Sequence, residues 1–282
     1  MFEGKPLKDQ VVLVTGGGTG LGKSMALRFA ELGANLVLTS RKEDVLEKAK
    51  AEIEKATGAE VVYFAGDVRK PEDVEATVNG TWKHFGRLDS LINNAAGNFL
   101  AATETLSYSA FDKVVGIVLH GTFYYTLACG RKWIDSGKPG KVLTISTTYA
   151  WTGSGMVLPS ACAKAGALIM TRSLAVEWAK YHIRLNAIAP GPFPTEGAWS
   201  RLMMSGAEEA AKAKIPMKRF GEHRELTNLA AYLITDYSDY ITGEVITIDG
   251  GEWLMGGEFN QIAALPKEQF EPVKQMLSKM KR

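Results

Sequence analysis

The sequence predicts an α/β protein built on a doubly wound parallel sheet with helices on both faces. Seven short apolar runs recur along its 282 residues. Each is rich in Val, Ile and Leu at consecutive positions, as strands buried on both faces are. Segments of helical spacing lie between the runs, and strand–helix alternation sustained over a whole chain folds into a sheet wrapped on both sides. A glycine-rich stretch, TGGGTGLGKS over 15–24, falls between the first run and the first helical segment. At that place an open α/β sheet presents backbone N–H groups to an anion.

In chain order the predicted strands are VVLVT (11–15), NLVLTS (35–40), EVVYFAG (60–66), SLINNAAG (90–97), KVLTIST (141–147), IRLNAIAP (183–190) and EVITIDGG (244–251). A clear helical pattern is FDKVVGIVLHGTF (111–123), where Phe111, Val114, Val115, Val118, Leu119, Thr122 and Phe123 share one face. No linker or change of composition divides the chain, so residues 1–255 read as a single domain carrying the active site and 256–282 as a tail. Within the tail, PKEQFEPVKQMLSKMKR (266–282) reads as a short amphipathic helix interrupted early by Pro272.

Composition excludes several function classes. The chain is 46% hydrophobic and 23% charged, ordinary values for a globular protein. Its net charge of +2, with no dense basic run, argues against a general nucleic-acid binder. Cys129 and Cys162 form no disulfide framework and lack metal-ligand spacing, which suits a reducing compartment and a site without metal. No apolar run approaches membrane-spanning length. The N-terminus MFEGKPLKDQ looks like neither a signal nor a transit peptide. A cytoplasmic setting is therefore expected, and a mitochondrial one only if a transit peptide has been removed.

The glycine stretch fits two phosphate-binding patterns. Gly17 to Ser24 matches G-x-x-x-x-G-K-[ST], the loop that holds ATP or GTP. That reading needs Lys23 at the phosphates and a strand-end Asp for Mg²⁺, for which Asp67 is an imitation. The alternative is a dinucleotide turn formed by Gly16, Gly18, Thr19, Gly20, Leu21 and Gly22. Two features favour it. Ser40, Arg41 and Lys42 close the second strand about 20 residues past the turn, where such a fold reads the adenosine ribose, and Arg41 suits a 2′-phosphate. INNAAG (92–97) then ends the fourth strand, where the sheet changes direction and opens its crevice. The turn is expected to hold the pyrophosphate of NADPH, with Lys23 a solvated helix residue.

Thr15-Gly16…Gly20-x-Gly22, Asp67-Val68, Asn93-Asn94-Ala95-Ala96-Gly97, Lys164, Pro190-Gly191-Pro192 and Asp249-Gly250-Gly251 together resemble the short-chain dehydrogenase/reductase family over residues 9–251. The resemblance implies a Rossmann-type sheet of order 3-2-1-4-5-6-7 and a homo-oligomer, a tetramer being favoured. It adds Asp67, Val68, Asn94, Ala95, Lys164, Pro190, Gly191, Pro192 and Phe193 to the cofactor site. The chain departs from the family pattern at two positions. Four residues before Lys164, where the family has tyrosine, stands Ser160, and His120 replaces a frequent asparagine. A serine hydroxyl cannot replace a phenol as proton donor. The combination is similar to the mitochondrial-type 2,4-dienoyl-CoA reductases, which share NNAAGNF (93–99), YAxTGSG (149–155), Ser-x-x-x-Lys (160–164) and GGEFN (256–260).

That likeness implies NADPH-dependent reduction of a 2,4-dienoyl-CoA to a 3-enoyl-CoA. Tyr149 would be the acid, Asn98 its partner at the thioester carbonyl, and Ser160 a hydrogen-bonding group in the usual tyrosine slot. Lys164 would hold the nicotinamide ribose, its charge favouring the phenolate. Arg69, Phe99, Ser107 and Arg201 would contact the acyl-CoA. Residues 195–220 would form a substrate lid, with Trp199, Leu202, Met203 and Met204 as its apolar lining. Taken alone, Tyr149 reads as a half-buried aromatic beside Trp151, Asn98 as a turn residue, His120 as a partly buried histidine and Cys162 as inert packing. Two alternatives stand beside this reading: a 3-ketoacyl or 2-enoyl thioester reductase, and a catalytically silent NADP-binding subunit.

Overall fold

The structure, a computed structural model, describes residues 2–195, 206–263 and 265–279. Seven parallel strands form one sheet in the order β3-β2-β1-β4-β5-β6-β7, the expected order. They are β1 (Val11–Thr15), β2 (Asn35–Ser40), β3 (Val61–Ala65), β4 (Ser90–Asn93), β5 (Gly140–Ile145), β6 (Ile183–Pro190) and β7 (Val245–Ile248). In register, Val11 to Thr15 face Asn35 to Thr39 on one side of β1, and Val12 to Val14 face Ser90 to Ile92 on the other.

Side chains of β1 alternate between two cores, which is why every position of the run is apolar up to its closing threonine. Val12 and Val14 enter a core with Met25 and Phe29 of α1 (Gly20–Glu31), Leu46 and Ile53 of α2 (Glu43–Thr57), and Leu226 of the helix His223–Ile234. Val11 and Leu13 enter the opposite core with Val74 and Val78 of α3 (Pro71–Phe85), Trp133 and Trp178. No described helix is long and apolar enough to cross a membrane.

The helical pattern near residue 111 is broken in a way its spacing does not announce. α4 (Tyr108–Val115) leads into a π-helical turn over Gly116–His120, and α5 (Gly121–Ser136) follows. The wider turn shifts the downstream face. Val114, Val118 and Thr122 are buried as expected, whereas Phe123 is 43% exposed. Glycines bracket the turn where it presses on the segment after β3: a Cβ at Gly121 would meet Val68 at 2.6 Å, and one at Gly116 would meet Arg69 at 3.5 Å. Such bulges recur at functional sites.

Further along the chain come α6 (Tyr149–Thr152), α7 (Leu158–Trp178), α8 (Glu208–Lys214) and α9 (His223–Ile234). The tail holds α10 (Asn260–Ala263) and α11 (Lys267–Lys279). Pro272 lies inside α11 and does not interrupt it, contrary to expectation. It falls in the second turn, where the bond its missing N–H would have made is lost and its ring crowds the carbonyl four residues earlier.

One knot ties the ends of β1 and β4. The Thr15 hydroxyl donates to the Ile92 carbonyl at 3.1 Å and accepts from the amides of Asn94 and Ala95, both at 3.0 Å. The Asn94 side chain answers by donating to the carbonyl of Thr15 at 3.0 Å. Thr15→Val keeps the shape and strips all three hydroxyl bonds. It is expected to cost about 2 kcal/mol of stability, read as a shifted urea midpoint at unchanged m-value.

Candidate active site

The turn after β1 is built from close approach. Gly16 has φ +65°. A Cβ on Gly22 would overlap the Gly16 carbonyl oxygen and sit 2.5 Å from Asn94 Nδ2, so only glycine lets α1 close down on the end of β4. α1 opens with no acidic residue in its first turn and no side-chain cap from Thr19. Its N-terminal amides therefore suit a phosphate, and the cradle fits a dinucleotide pyrophosphate. Lys23 turns away from the loop and forms an ion pair with Glu52 of α2. That is the surface role, and the ATP-loop reading loses its lysine.

Where β2 ends, Ser40 is half-buried and Arg41 and Lys42 are exposed, with no ion pair to either cation among the described residues. Nearby, Asp67 accepts from the backbone amide of Arg69 and from its Nε, both at 3.0 Å. This pairing, with the charge of Arg41 added, holds the Asp67 carboxyl below the usual carboxylate range. Arg69, expected at the acyl-CoA, is thus folded back on a residue expected at the cofactor. Val68 is buried against Gly121, while Asn94 and Ala95 line the crevice through the Thr15 knot.

Three of the residues expected to be catalytic meet just past β5. Tyr149 opens α6 just past β5, and Ser160 and Lys164 lie one turn apart on α7. The Tyr149 hydroxyl is 3.0 Å from Ser160 Oγ. Asn98 Nδ2 donates to the same phenol oxygen at 3.4 Å, its own carbonyl being held by the Phe99 amide at 2.9 Å. That local bond fixes which end of the amide faces Tyr149. Ser160 is 2% exposed and Lys164 7%. The Lys164 ammonium donates to the Ile145 carbonyl rather than to the phenol. Burial lowers its pKa from 10.5 to about 8.

The loops carrying these groups are tied together. The Ala101 amide donates to the Met156 carbonyl at 2.9 Å, and Met156 takes a left-handed φ of 68°. A non-glycine residue held there costs about 1 kcal/mol, a strain that clusters at functional sites.

The remaining expected residues divide. Phe99 packs with Val115, Ile117 and Leu119 against Val114, Val118 and Ala163, forming a wall beside Asn98. Ser107 caps α4, accepting from the Ala110 amide at 3.2 Å. Beyond β6, the Gly191 amide donates to the Ile248 carbonyl at the end of β7, the Pro192 carbonyl accepts from the Gly221 amide, and Phe193 is buried. Arg201 lies outside the described residues, as do Trp199, Leu202, Met203 and Met204. His120 is exposed rather than partly buried, its ring 6.0 Å from that of Tyr124, because the π turn carries it outward. Cys162 is exposed on α7, not packed. Trp253, which no sequence pattern singled out, meets Trp151 edge-on with ring centroids 5.7 Å apart. Only the return of the chain after β7 brings them together.

Comparison with known proteins finds close likeness over most of the chain. Residues 16–252 match a family described as Enoyl-(Acyl carrier protein) reductase. A Bacillus subtilis protein named "Probable 2,4-dienoyl-CoA reductase [(2E)-enoyl-CoA-producing]" is 44% identical over 88% of this chain and 98% of its own. A Caenorhabditis elegans protein named "Probable 2,4-dienoyl-CoA reductase 3 [(3E)-enoyl-CoA-producing]" is also 44% identical, over 87% of this chain and 81% of its own. The crystal structure of a short chain dehydrogenase from Bacillus anthracis superposes with a TM-score of 0.80 at 44% identity, covering 87% of this chain and 97% of that one.

The buried lysine sets a stability window. Between about pH 8 and 10.5 the unfolded chain binds the Lys164 proton and the folded chain has released it. Stability therefore rises with pH across that window, and below it the full cost of the buried charge is felt. Relative to Lys164→Met, the wild type is expected to gain about 2 kcal/mol between pH 7.5 and 9.5, measured by urea unfolding at the two pH values.

Proposed function

The chain belongs to the short-chain dehydrogenase/reductase family of nicotinamide-dependent oxidoreductases, and from that premise we propose that it reduces 2,4-dienoyl-CoA thioesters with NADPH to 3-enoyl-CoA, a step in the oxidation of unsaturated fatty acids. The observation that carries this reading is the meeting of Tyr149, Asn98 and Ser160 around one phenol oxygen. The family's usual acid position holds a serine that serves this phenol instead.

NADPH, when bound, supplies the hydride that a conjugated dienoyl thioester accepts at C5. Charge then develops on the thioester oxygen as an extended enolate, and the chain's task is to hold that oxygen and deliver one proton. Asn98 Nδ2 and the Tyr149 hydroxyl are two donors 3.4 Å apart that can converge on it. Tyr149 gives its proton to the α-carbon, which leaves the double bond at C3. Ser160 orients the phenol from the buried side. Lys164 would hold the ribose hydroxyls of the bound cofactor and keep a positive charge near the developing anion. Phe99 and the Trp151–Trp253 pair offer apolar surface to the acyl chain. Arg69 takes a CoA phosphate once it leaves Asp67, and Arg201 is assigned the same role from sequence alone.

Relatives of equal identity carry names for both (2E) and (3E) products. Protonation at C4 instead of the α-carbon gives the (2E) product, which is the second reading. NADPH oxidation against dienoyl-, 2-enoyl- and 3-ketoacyl-CoA, with chromatography of the products, tests the assignment. Turnover of the dienoyl thioester to 3-enoyl-CoA is expected. Preference for the enoyl or ketoacyl substrate, or no turnover with NADPH bound, overturns it.

The rest of the reading follows suit. Residues 1–255 act as one catalytic unit. Phe123, Ile169 and Val176 present apolar side chains on α5 and α7, which supports a homo-oligomer and a tetramer in particular. A reducing, cytoplasmic setting suits the two free cysteines.

Tyr149→Phe keeps the ring and removes the proton. Turnover is expected to fall about 10²- to 10⁴-fold with NADPH affinity retained, while Ser160→Ala loses about one hydrogen bond's worth, or roughly 1 kcal/mol. Steady-state rates of the two variants check this, and the reverse ranking rejects Tyr149 as the acid. Arg41→Ala is expected to erase most of the preference for NADPH over NADH and leave NADH binding nearly unchanged, as fluorescence titration would show.

A further inference from the structure

His223 bridges three elements that sequence keeps far apart. It is the first residue of α9, and a reciprocal cap sets its position: the Glu222 amide donates to Glu225, whose carboxylate Arg219 grips at 2.8 and 2.6 Å. From there Nδ1 lies 2.7 Å from Ser24 Oγ on α1. On the other side, Nε2 lies 2.7 Å from the carbonyl oxygen of Pro194, in the chain that has just left β6. A carbonyl only accepts, so Nε2 carries a proton and donates. In the neutral ring Nδ1 then accepts from the Ser24 hydroxyl, whose single proton the Gly20 carbonyl, 3.1 Å from the same oxygen, would otherwise take.

What this bridge holds is the entrance to the crevice. The next residue, Thr195, packs on the start of α1: a Cβ at Gly20 would touch its methyl at 3.4 Å. β6 is separated from β1 by β4 and β5 in the sheet. A segment running from the end of β6 to Gly20 therefore crosses the open end of the crevice. The Gly221 amide, bonded to Pro192 at 3.0 Å, fastens the same segment two residues earlier.

We propose that His223 is a positioning residue that latches the segment after β6 onto the phosphate-binding end of α1 and thereby slows release of the bound dinucleotide. The proposal rests on the reading of the Gly16–Gly22 turn as the dinucleotide site. It needs neither the dienoyl substrate nor the NADPH preference. The latch touches no reacting atom. It acts through Pro194 and Thr195, and its effect belongs in cofactor affinity rather than in the chemical step.

The test measures NADPH and NADH binding to the full chain by fluorescence titration, and release by stopped-flow displacement. His223→Ala is expected to weaken binding about five- to tenfold, the order of one or two lost hydrogen bonds, with the change in the release rate. His223→Gln, whose amide can still donate to Pro194, is expected to recover most of it. Ser24→Ala removes the α1 anchor together with the Ser24 bond to the Gly20 carbonyl, is expected to give about a threefold loss, and carries the test if His223→Ala does not fold. Asn228→Ala supplies the structural control. It cuts the Arg28–Asn228 bond at 2.9 Å in the same α1–α9 seam without touching Pro194, and is expected to leave affinity within about twofold. An equal loss in Asn228→Ala assigns the effect to helix packing and overturns the latch. So does unchanged affinity in His223→Ala and Ser24→Ala, or a loss confined to kcat. Wild-type protein that binds neither dinucleotide overturns the cofactor reading itself, a different failure from variants that bind like the wild type.

Discussion

The structure turns on the contact between the first glycine turn and the end of β4. Thr15 commits its one hydroxyl to three backbone groups, and Asn94 returns a bond to the Thr15 carbonyl. The approach is so close that Gly22 has no room for a Cβ. Two consequences follow from this one constraint. The amide end of α1 is aimed at the crevice, and the chain leaving β4 is launched along it toward Asn98. The cofactor end and the chemical end of the site are thereby set by the same few atoms.

At the chemical end a short side chain makes room for a longer one. A serine at 160 leaves space that Tyr149 fills from α6, and the two hydroxyls meet at 3.0 Å. Burial then acts in opposite senses on the two α7 groups. It makes Ser160 depend on Tyr149 for its hydrogen bond, and it makes the charge on Lys164 costly. Lys164 with a pKa of about 8 is still mostly protonated at neutral pH, so it remains a cation in a place that disfavours one. An anion developing beside such a group is stabilised more than it would be in water, because little solvent intervenes.

The strands were legible because buried parallel strands are apolar at nearly every position, and β1 shows why: its successive residues serve two different cores. The π turn was not legible. The 3.6-residue spacing extrapolated through Gly116–His120 puts Phe123 inside, and one wider turn brings it out, while His120, expected to be partly buried as histidines usually are, is exposed. Its local marks are Gly116 and Gly121, and the close neighbour that Gly121 makes room for, Val68, comes from a distant segment. Tyr149 and Asn98 were singled out through the family likeness, because local spacing alone makes them a packed aromatic and a turn residue. His223 and Trp253 escaped for a related reason. Each gains its meaning from partners that are distant in sequence, Ser24 for one and Trp151 for the other.

Charge shows the same dependence on partners. Several arginines and lysines lie on α1 and after β2 and β3, yet most are committed: Lys23 to Glu52, Arg28 to Glu31, Arg69 to Asp67. Counting cations would rank them alike. Arg41 and Lys42 differ because no ion pair engages them among the described residues, although they stand at the end of β2. A 2′-phosphate arriving there meets a guanidinium whose donors need not be taken from another carboxylate, whereas a phosphate approaching Arg69 must first compete with Asp67. A carboxylate has about four lone-pair positions, and Arg69 already reaches both oxygens of Asp67 through Nε and one through its amide. With Asp67 at the cofactor and Arg69 at the acyl-CoA, as proposed, a donor from the adenine side that takes up Asp67 would loosen Arg69 in the same step.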